Sequence, residues 1–248
     1  MIVLKSEDEI KKMAESCRIV AEVLEGIKKN ITVGVTTKEI DAYAESFIIS
    51  SGAQPAFKGY RGYPASVCTS INEQVVHGIP SSRKLKDGDI VSLDIGVLYK
   101  GFYGDAAVTL PVGSVSSQAR KLMSVTEKSL AAGMEKAVAG NRLSDISSAI
   151  QGCVESEGFS IVRNFVGHGI GRELHEEPQV PNFGKPGEGP ELRPGMTLAI
   201  EPMVNMGGWE VIILNDGWTA VTKDRSLSAH FEHTVAITKN GLTILTKL

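Results

Sequence analysis

No run of this sequence is apolar over the roughly 20 residues that a membrane-spanning helix needs. Its opening, MIVLKSEDEIKKMAES, turns charged at Lys5, which leaves no apolar core for a signal peptide. Cysteine is scarce: Cys17, Cys68 and Cys153 are odd in number and irregularly spaced, which suits reduced thiols better than a disulfide framework. Charge of one sign is lacking as well. Lys and Arg number 26 against 29 Asp and Glu, a net charge of -3. The nearest thing to a basic cluster, Arg83-Lys84-Leu85-Lys86, reads as a solvated turn, so no direct nucleic-acid binding is expected. These absences lead to the expectation of a cytoplasmic protein with no membrane attachment.

What is present is ordinary in bulk and specific in pattern. At 248 residues and 42% hydrophobic, the chain can bury a substantial core, as one α/β domain or two small ones. Ser6 and Glu9 form a capping-box pattern, and Ile10, Met13, Ala14, Cys17, Val20, Ala21, Leu24 and Ile27 recur at helical spacing behind it. A second helix is predicted from Thr36–Thr37 to Gly52. The glycine- and tyrosine-rich loop GYRGYPASV follows, and then the pattern alternates as strands. IVSLDIGVLY and FYGDAAVTL read as a hairpin about Lys100-Gly101.

The second half repeats that order, with helices predicted near 117–139 and 144–157, a loop, and more strands. The match reaches single residues. GVTTKEIDAYAESFIISSG (34–52) lies over GNRLSDISSAIQGCVESEG (140–158) at an offset of 106, and LKDGDIVSLD (85–94) lies over LRPGMTLAIE (192–201) at 107. Two alignments in one order at nearly one offset indicate duplication of a unit of two helices and several strands. We expect one domain over 1–248 built from two related halves, about 1–110 and 111–248. Its fold class is α/β (α+β), a curved, mainly antiparallel sheet with helices on one face and a site between the halves on the other.

The stretch NFVGHGIGRELHEEPQVPN (164–182) sets His168 and His175 among Gly167, Gly169, Gly171, Pro178 and Pro181. That argues against a continuous helix and for backbone that approaches something closely, with substrate backbone as the expected neighbour. A plain surface loop would contain such residues too. The carboxylates shift the balance. If Lys100-Gly101 is a two-residue turn, Asp94 pairs opposite Ala107, and Asp105 is its diagonal neighbour on the same face. Strand aspartates facing water would be unremarkable, but IVSLDIGVLY is otherwise apolar, and an unpartnered carboxylate inside it is costly to bury. Glu201 in MTLAIEPMV and Glu232 in AHFEHTVAIT repeat the arrangement, as acidic groups in strand-like apolar surroundings. With His168 the set carries a formal charge of about -4, which two divalent cations cancel. Such a cluster suits first-row metals about 3.5–4 Å apart, bridged by carboxylates and a water or hydroxide nucleophile. The reaction class read from the residues is metal-assisted hydrolysis.

The motifs GYRGYPASVCTSINEQVVHGIP (59–80), LDIGVLYKGFYGD (93–105), GHGIGRELHEEPQVPN (167–182), IEPM (200–203) and DRSLSAHFEHT (224–234) go further. With them, nearly the whole chain closely resembles the type I methionine aminopeptidases, whose pseudo-twofold pita-bread fold is shared with creatinase and prolidase. The resemblance implies Asp94 as terminal ligand of one metal, His168 and Glu201 as terminal ligands of the other, and Asp105 and Glu232 as bridges. It assigns His175 to the substrate carbonyl, His77 to the scissile amide nitrogen or adjacent backbone, and proton shuttling to Glu201. Tyr60, Tyr63, Cys68 and Trp218 map onto the methionine pocket, with Phe57 and Leu174 beside them. Phe57 stands where some relatives have a cysteine and Leu174 where phenylalanine is frequent, so the pocket's selectivity is where this chain departs from the pattern. Asn72, Gln74 and Ser228 match a monovalent-cation site for Na or K. His230 and His233 match no family role.

The implied cofactors are two divalent ions drawn from Co, Mn, Fe, Zn or Ni. The implied substrates are N-terminal methionine peptides and nascent chains with a small second residue, met near the ribosome exit by a monomer. Only 26 positions separate His175 from Glu201, too few for the helical insertion of the type II enzymes, and the expectation is the minimal bacterial-type form. Two other readings share the fold. One is an Xaa-Pro aminopeptidase or dipeptidase, whose relatives usually carry an extra N-terminal domain. The other is a non-catalytic ribosome- or RNA-binding relative, which would have lost ligands that this chain retains.

Overall fold

A computed structural model describes residues 1–247. The first half runs α1 (Glu7–Asn30), α2 (Thr37–Ser50), β1 (Gln54–Pro55), β2 (Cys68–Ile71), β3 (Gln74–Val76), β4 (Ile90–Tyr99) and β5 (Phe102–Pro111). The second opens on α3 (Ser117–Lys136) and α4 (Leu143–Ser156), followed by β6 (Ser160–Ile161), β7 (Gly167–Gly169), β8 (Glu176–Val180), β9 (Thr197–Ile200) and β10 (Met203–Asn205). It closes on β11 (Val211–Ile213), β12 (Ala220–Thr222), β13 (Ser228–His230), β14 (His233–Thr238) and β15 (Gly241–Ile244). Every pairing among these strands is antiparallel.

Local chemistry explains the helix starts. Ser6 caps α1, its hydroxyl accepting from the Glu9 N–H while the Glu9 carboxylate accepts from the Ser6 N–H at 2.9 Å, the reciprocal box read from the sequence. Thr36 and Glu39 do the same for α2. α1 buries Met13, Cys17, Val20, Ala21 and Ile27 of the stripe that its periodicity marks, with Ile19 and Val23 beside them. α3 ends at Lys136 rather than 139, because the Ala137 N–H turns to the Met134 carbonyl, three residues back, and tightens the last turn.

The hairpin forms as expected. Lys100 (φ 50°) and Gly101 (φ 79°) are both left-handed, as a two-residue type I′ turn demands. The register is then set: Tyr99 faces Phe102, Gly96 faces Asp105 and Asp94 faces Ala107. The internal repeat recurs in the backbone. Gly34 N–H donates to Leu85 O at 2.8 Å and Gly140 N–H to Leu192 O at 3.0 Å; Thr36 bridges Lys84, and Arg142 bridges Glu191. Gly34 and Gly140 share a φ near +95°, and Gly88 and Gly195 both lie above +90°.

Three parts of the core position the site. α1 and α2 pack on β4 and β5 around Ile48, Leu93 and Ile95. α3 and α4 pack on strands of the second half around Leu122, Ile146 and Leu198. Met13 and Cys17 of α1 join Phe57, Tyr63, Cys68, Phe102, Ile170 and Leu174 in a third. β5 meets the 230–234 segment largely through threonine side chains: Thr109 Oγ1 accepts from His230 N–H at 2.9 Å, and Thr234 Oγ1 donates to Asp105 O at 2.7 Å. Glu232 and Ala107 exchange two backbone bonds, Glu232 N–H to Ala107 O at 2.9 Å and Ala107 N–H to Glu232 O at 3.4 Å. That seam brings acidic residues of both halves together.

Candidate metal centre and active site

Asp94 lies mid-strand on β4 and Asp105 on β5, both facing the seam as the hairpin register requires. Glu201 and Glu232 reach it differently from the strand positions expected of them. Glu201 falls just after β9, because Pro202 cannot continue a ladder, and Glu232 sits in the gap between β13 and β14. His168 is the middle residue of β7, so this part of the stretch is a short strand and not a loop. Two of its glycines let the sheet close up. A Cβ at Gly167 would collide with the Ala199 carbonyl oxygen, and one at Gly169 with that of Glu177.

Ligand atoms of Asp105, His168 and Glu232 lie within 4.8 Å of one another. His168 Nε2 is 3.6 Å from Glu201 Oε1 and 4.0 Å from Asp105 Oδ2. Its Nδ1 is 2.9 Å from the Gly169 carbonyl, an acceptor only, so the ring proton sits there and the Nε2 lone pair faces the carboxylates. Asp94 Oδ1, Asp105 Oδ1 and Glu232 Oε1 are buried without a hydrogen-bond partner among the described residues. Burial pushes the carboxyl of Asp94 up to about 7 and that of Glu201 up to about 8. Asp105 and Glu232 rise well above the usual range through burial first, then through the neighbouring anions. Burial also drives His168 down to about 3. Orphaned acceptors, mutually repelling carboxyls and one free imidazole lone pair form a donor set that fits divalent cations.

A cavity of about 160 Å³ opens onto this cluster. It is smaller than the roughly 300–1,000 Å³ of sites for drug-sized ligands, so it takes one side chain. Phe57, Tyr60, Tyr63, Cys68, Leu174 and Trp218 line it, together with His77 and His175. Tyr63 meets Trp218 edge-on at 5.1 Å and donates to the Gly78 carbonyl at 2.9 Å. Phe57 lies against Gly96, where a Cβ would come within 2.6 Å of its Cε1. Tyr60 sits in a tight turn whose Arg61 is left-handed (φ 49°), and its hydroxyl is 2.8 Å from His175 Nδ1. The His175 ring lies 4.3 Å from that of His168. Burial lowers His175, with a further push from Arg61, and lowers His77 to about 4, so both are neutral near pH 7. His77 has a left-handed backbone (φ 60°), uncommon for a residue other than glycine, and packs edge-on against Phe165 at 5.3 Å.

Three residues stand near the site without a role assigned from sequence. Arg61 lines the cavity. His230 is 1% exposed with Nε2 3.6 Å from Glu201 Oε2; its neighbour Glu232 was the only local signal. Thr234 anchors Asp105. His233 turns away, to Thr246 at 2.8 Å. Asn72 and Ser228 meet through a 2.8 Å backbone bond, but the oxygens of Asn72 and Gln74 already accept from Ile90 and Ile71 N–H groups.

Metallopeptidase family M24 matches residues 11–239. The chain is 57% identical over 246 residues to the methionine aminopeptidase of Clostridium perfringens, covering 99% of both chains. It is 55% identical over 248 residues to methionine aminopeptidase 1 of Bacillus subtilis, covering 100% of both. The crystal structure of the methionine aminopeptidase of Thermotoga maritima superposes with a TM-score of 0.98 at 50% identity, over the full length of each chain. The architecture is therefore the pseudo-twofold pita-bread fold. Likeness of this extent, on a chain whose two halves bring buried acids to one cavity, means that the protein belongs to metallopeptidase family M24.

Proposed function

We infer that this protein is a methionine aminopeptidase, which removes the initiator methionine from peptides and nascent chains when the second residue is small. The observation that carries the reading is the junction of an apolar recess sized for one side chain with a cluster of buried metal-ligating groups. An unbranched thioether suits the recess, since sulfur packs well against the edges of rings such as those of Tyr63 and Trp218.

Asp94, Asp105, His168, Glu201 and Glu232 would hold divalent ions from the Co, Mn, Fe, Zn or Ni group. Ions held there supply Lewis acidity and a nucleophile at neutral pH. With the Tyr60 hydroxyl donating to Nδ1, His175 carries its proton on Nε2 and presents it to the oxygen that gains charge as the scissile carbonyl is attacked. His77, neutral and held by Phe165 and Trp218, contacts the scissile amide. Glu201 takes a proton from the attacking water and returns it to the leaving amine. Phe57, Cys68 and Leu174 set the shape of the recess, where one methylene is worth about 1–3 kcal/mol of discrimination. A monovalent cation near Asn72, Gln74 and Ser228 would rely mainly on backbone carbonyls, because the side-chain oxygens of Asn72 and Gln74 are engaged.

No helix among the described residues is long and apolar enough to cross a membrane. We propose cytoplasmic action by a monomer, a single domain of two related halves, on chains leaving the ribosome. The test is to strip the protein of metal, restore Mn(II), Co(II), Fe(II), Zn(II) or Ni(II) singly, and measure release from Met-Gly, Met-Lys and Ala-Pro peptides. Release of methionine from Met-Gly alone supports the reading. Cleavage of Ala-Pro alone would make the protein an Xaa-Pro peptidase, and inertness with every metal a binding protein.

A further inference from the structure

We propose that Lys5 is a positioning residue for His175, acting through Glu176 from behind the pocket; this rests on the reading of His175 as the group that faces the substrate. Lys5 is the last residue before the Ser6 cap of α1, and its N–H donates to Gly195 O at 2.7 Å. Its side chain is only 3% exposed. Lysine is almost never buried to that degree without a partner, and here Nζ donates to Glu176 Oε2 and to the Val3 carbonyl at 3.2 Å.

Glu176 is the residue after His175, and its other oxygen accepts from Arg172 N–H at 2.8 Å and Glu173 N–H at 3.2 Å. The segment leading to His175 is thus bent around one carboxylate. Gly171 completes the arrangement: a Cβ there would meet Lys5 Cε and Nζ and lie 2.7 Å from Glu176 Oε1. α1 grips the segment a second time where Glu9 accepts from Arg172 Nη2 at 3.1 Å. Within the pocket, the His175 ring has one hydrogen bond among the described residues, to Tyr60. Its aim therefore depends on the backbone that Glu176 organises. Without the ammonium, that carboxylate would remain buried with backbone donors alone, and the segment would relax toward water.

Lys5→Met in the full-length, metal-loaded chain tests this. Misplacement of a catalytic group by about 1 Å costs up to roughly a hundredfold, so kcat on a Met-Gly peptide should fall about tenfold or more, with KM and bound metal nearly unchanged. In a His175→Ala background the same substitution should cost less than about twofold, because the two act as one unit. A readout independent of turnover is the imidazole ring NMR spectrum, with the His175 signal assigned by its loss in His175→Ala. In Lys5→Met that signal should shift or split while the His233 signal stays. Equal losses of kcat in both backgrounds, or an unmoved His175 signal, would overturn the proposal. The spectrum decides the matter even if wild-type protein releases no methionine. Should Lys5→Met not fold, Glu176→Gln, which retains an acceptor for both N–H groups, takes its place; if neither folds, the pair is a folding staple and the proposal fails.

Discussion

Asp105 is 4% exposed, faces Asp94 and Glu232, and has one oxygen with no hydrogen-bond partner among the described residues. A carboxylate there stabilises bound cations and destabilises the metal-free fold. Asp105→Asn should therefore abolish turnover and greatly weaken metal binding. In chelator at about pH 8 the same variant should be more stable than wild type, since burial and the neighbouring anions hold this carboxyl well above its usual range in the folded state. Urea denaturation checks both signs, and a metal-free variant weaker than wild type would show that the carboxyls do not repel. Asp94 and Asp105 were legible because a two-residue turn and a period of two determine where hairpin side chains point. Lys5, Glu176 and Arg61 were not, since no local pattern tells that residues 171 apart in sequence form a buried pair.

At the scale of elements, β7 shows why glycine spacing is ambiguous in sequence. Close approach was predicted, and the structure gives it partners in the sheet: Gly167 and Gly169 let β7 sit tightly between β9 and β8. Gly169→Ala places a methyl against the Glu177 carbonyl, and overpacking of this kind costs about 1–3 kcal/mol. The strand would shift and carry His168 with it. We expect a lower melting temperature together with weaker metal affinity by calorimetry; loss of stability with unchanged affinity would mean that β7 absorbs the methyl without moving its histidine. Glu201 and Glu232 were found for a related reason. Their apolar neighbours marked them as buried, although the strands that supply those neighbours stop on either side of the acids.

At the scale of the molecule, the proposed metal ligands divide between the halves: Asp94 and Asp105 from the first, His168, Glu201 and Glu232 from the second. The repeat made that division readable, whereas the seam between β5 and residues 230–234, which pairs Asp105 with Thr234, Ala107 with Glu232 and Thr109 with His230, joins segments 121 to 129 residues apart and was not. Cations bound across the seam couple the halves. At free metal a thousandfold above its Kd, binding adds about 4.1 kcal/mol, and at about 2–4 °C per kcal/mol for a chain of this size Tm should rise by roughly 8–16 °C. The pH dependence should reverse on loading. Folded-state values of about 7 for Asp94 and about 8 for Glu201 exceed the unfolded carboxyl range, so the metal-free fold binds more protons than the unfolded chain and loses stability as pH rises through that range. His77, His168 and His233, depressed to about 4, about 3 and about 4, have the opposite sign, as do His175 and His230, which burial lowers, but their contribution is complete only above about pH 7.5, where histidine is largely neutral in both states. Between about pH 7.5 and 8.5 the carboxyls therefore govern: Tm falls with pH in chelator, and with metal it rises or holds, because protons no longer compete for the ligands. Scanning calorimetry across that interval reads both slopes. Parallel slopes, or two separate transitions unaffected by metal, would mean that the halves are not joined through the cluster.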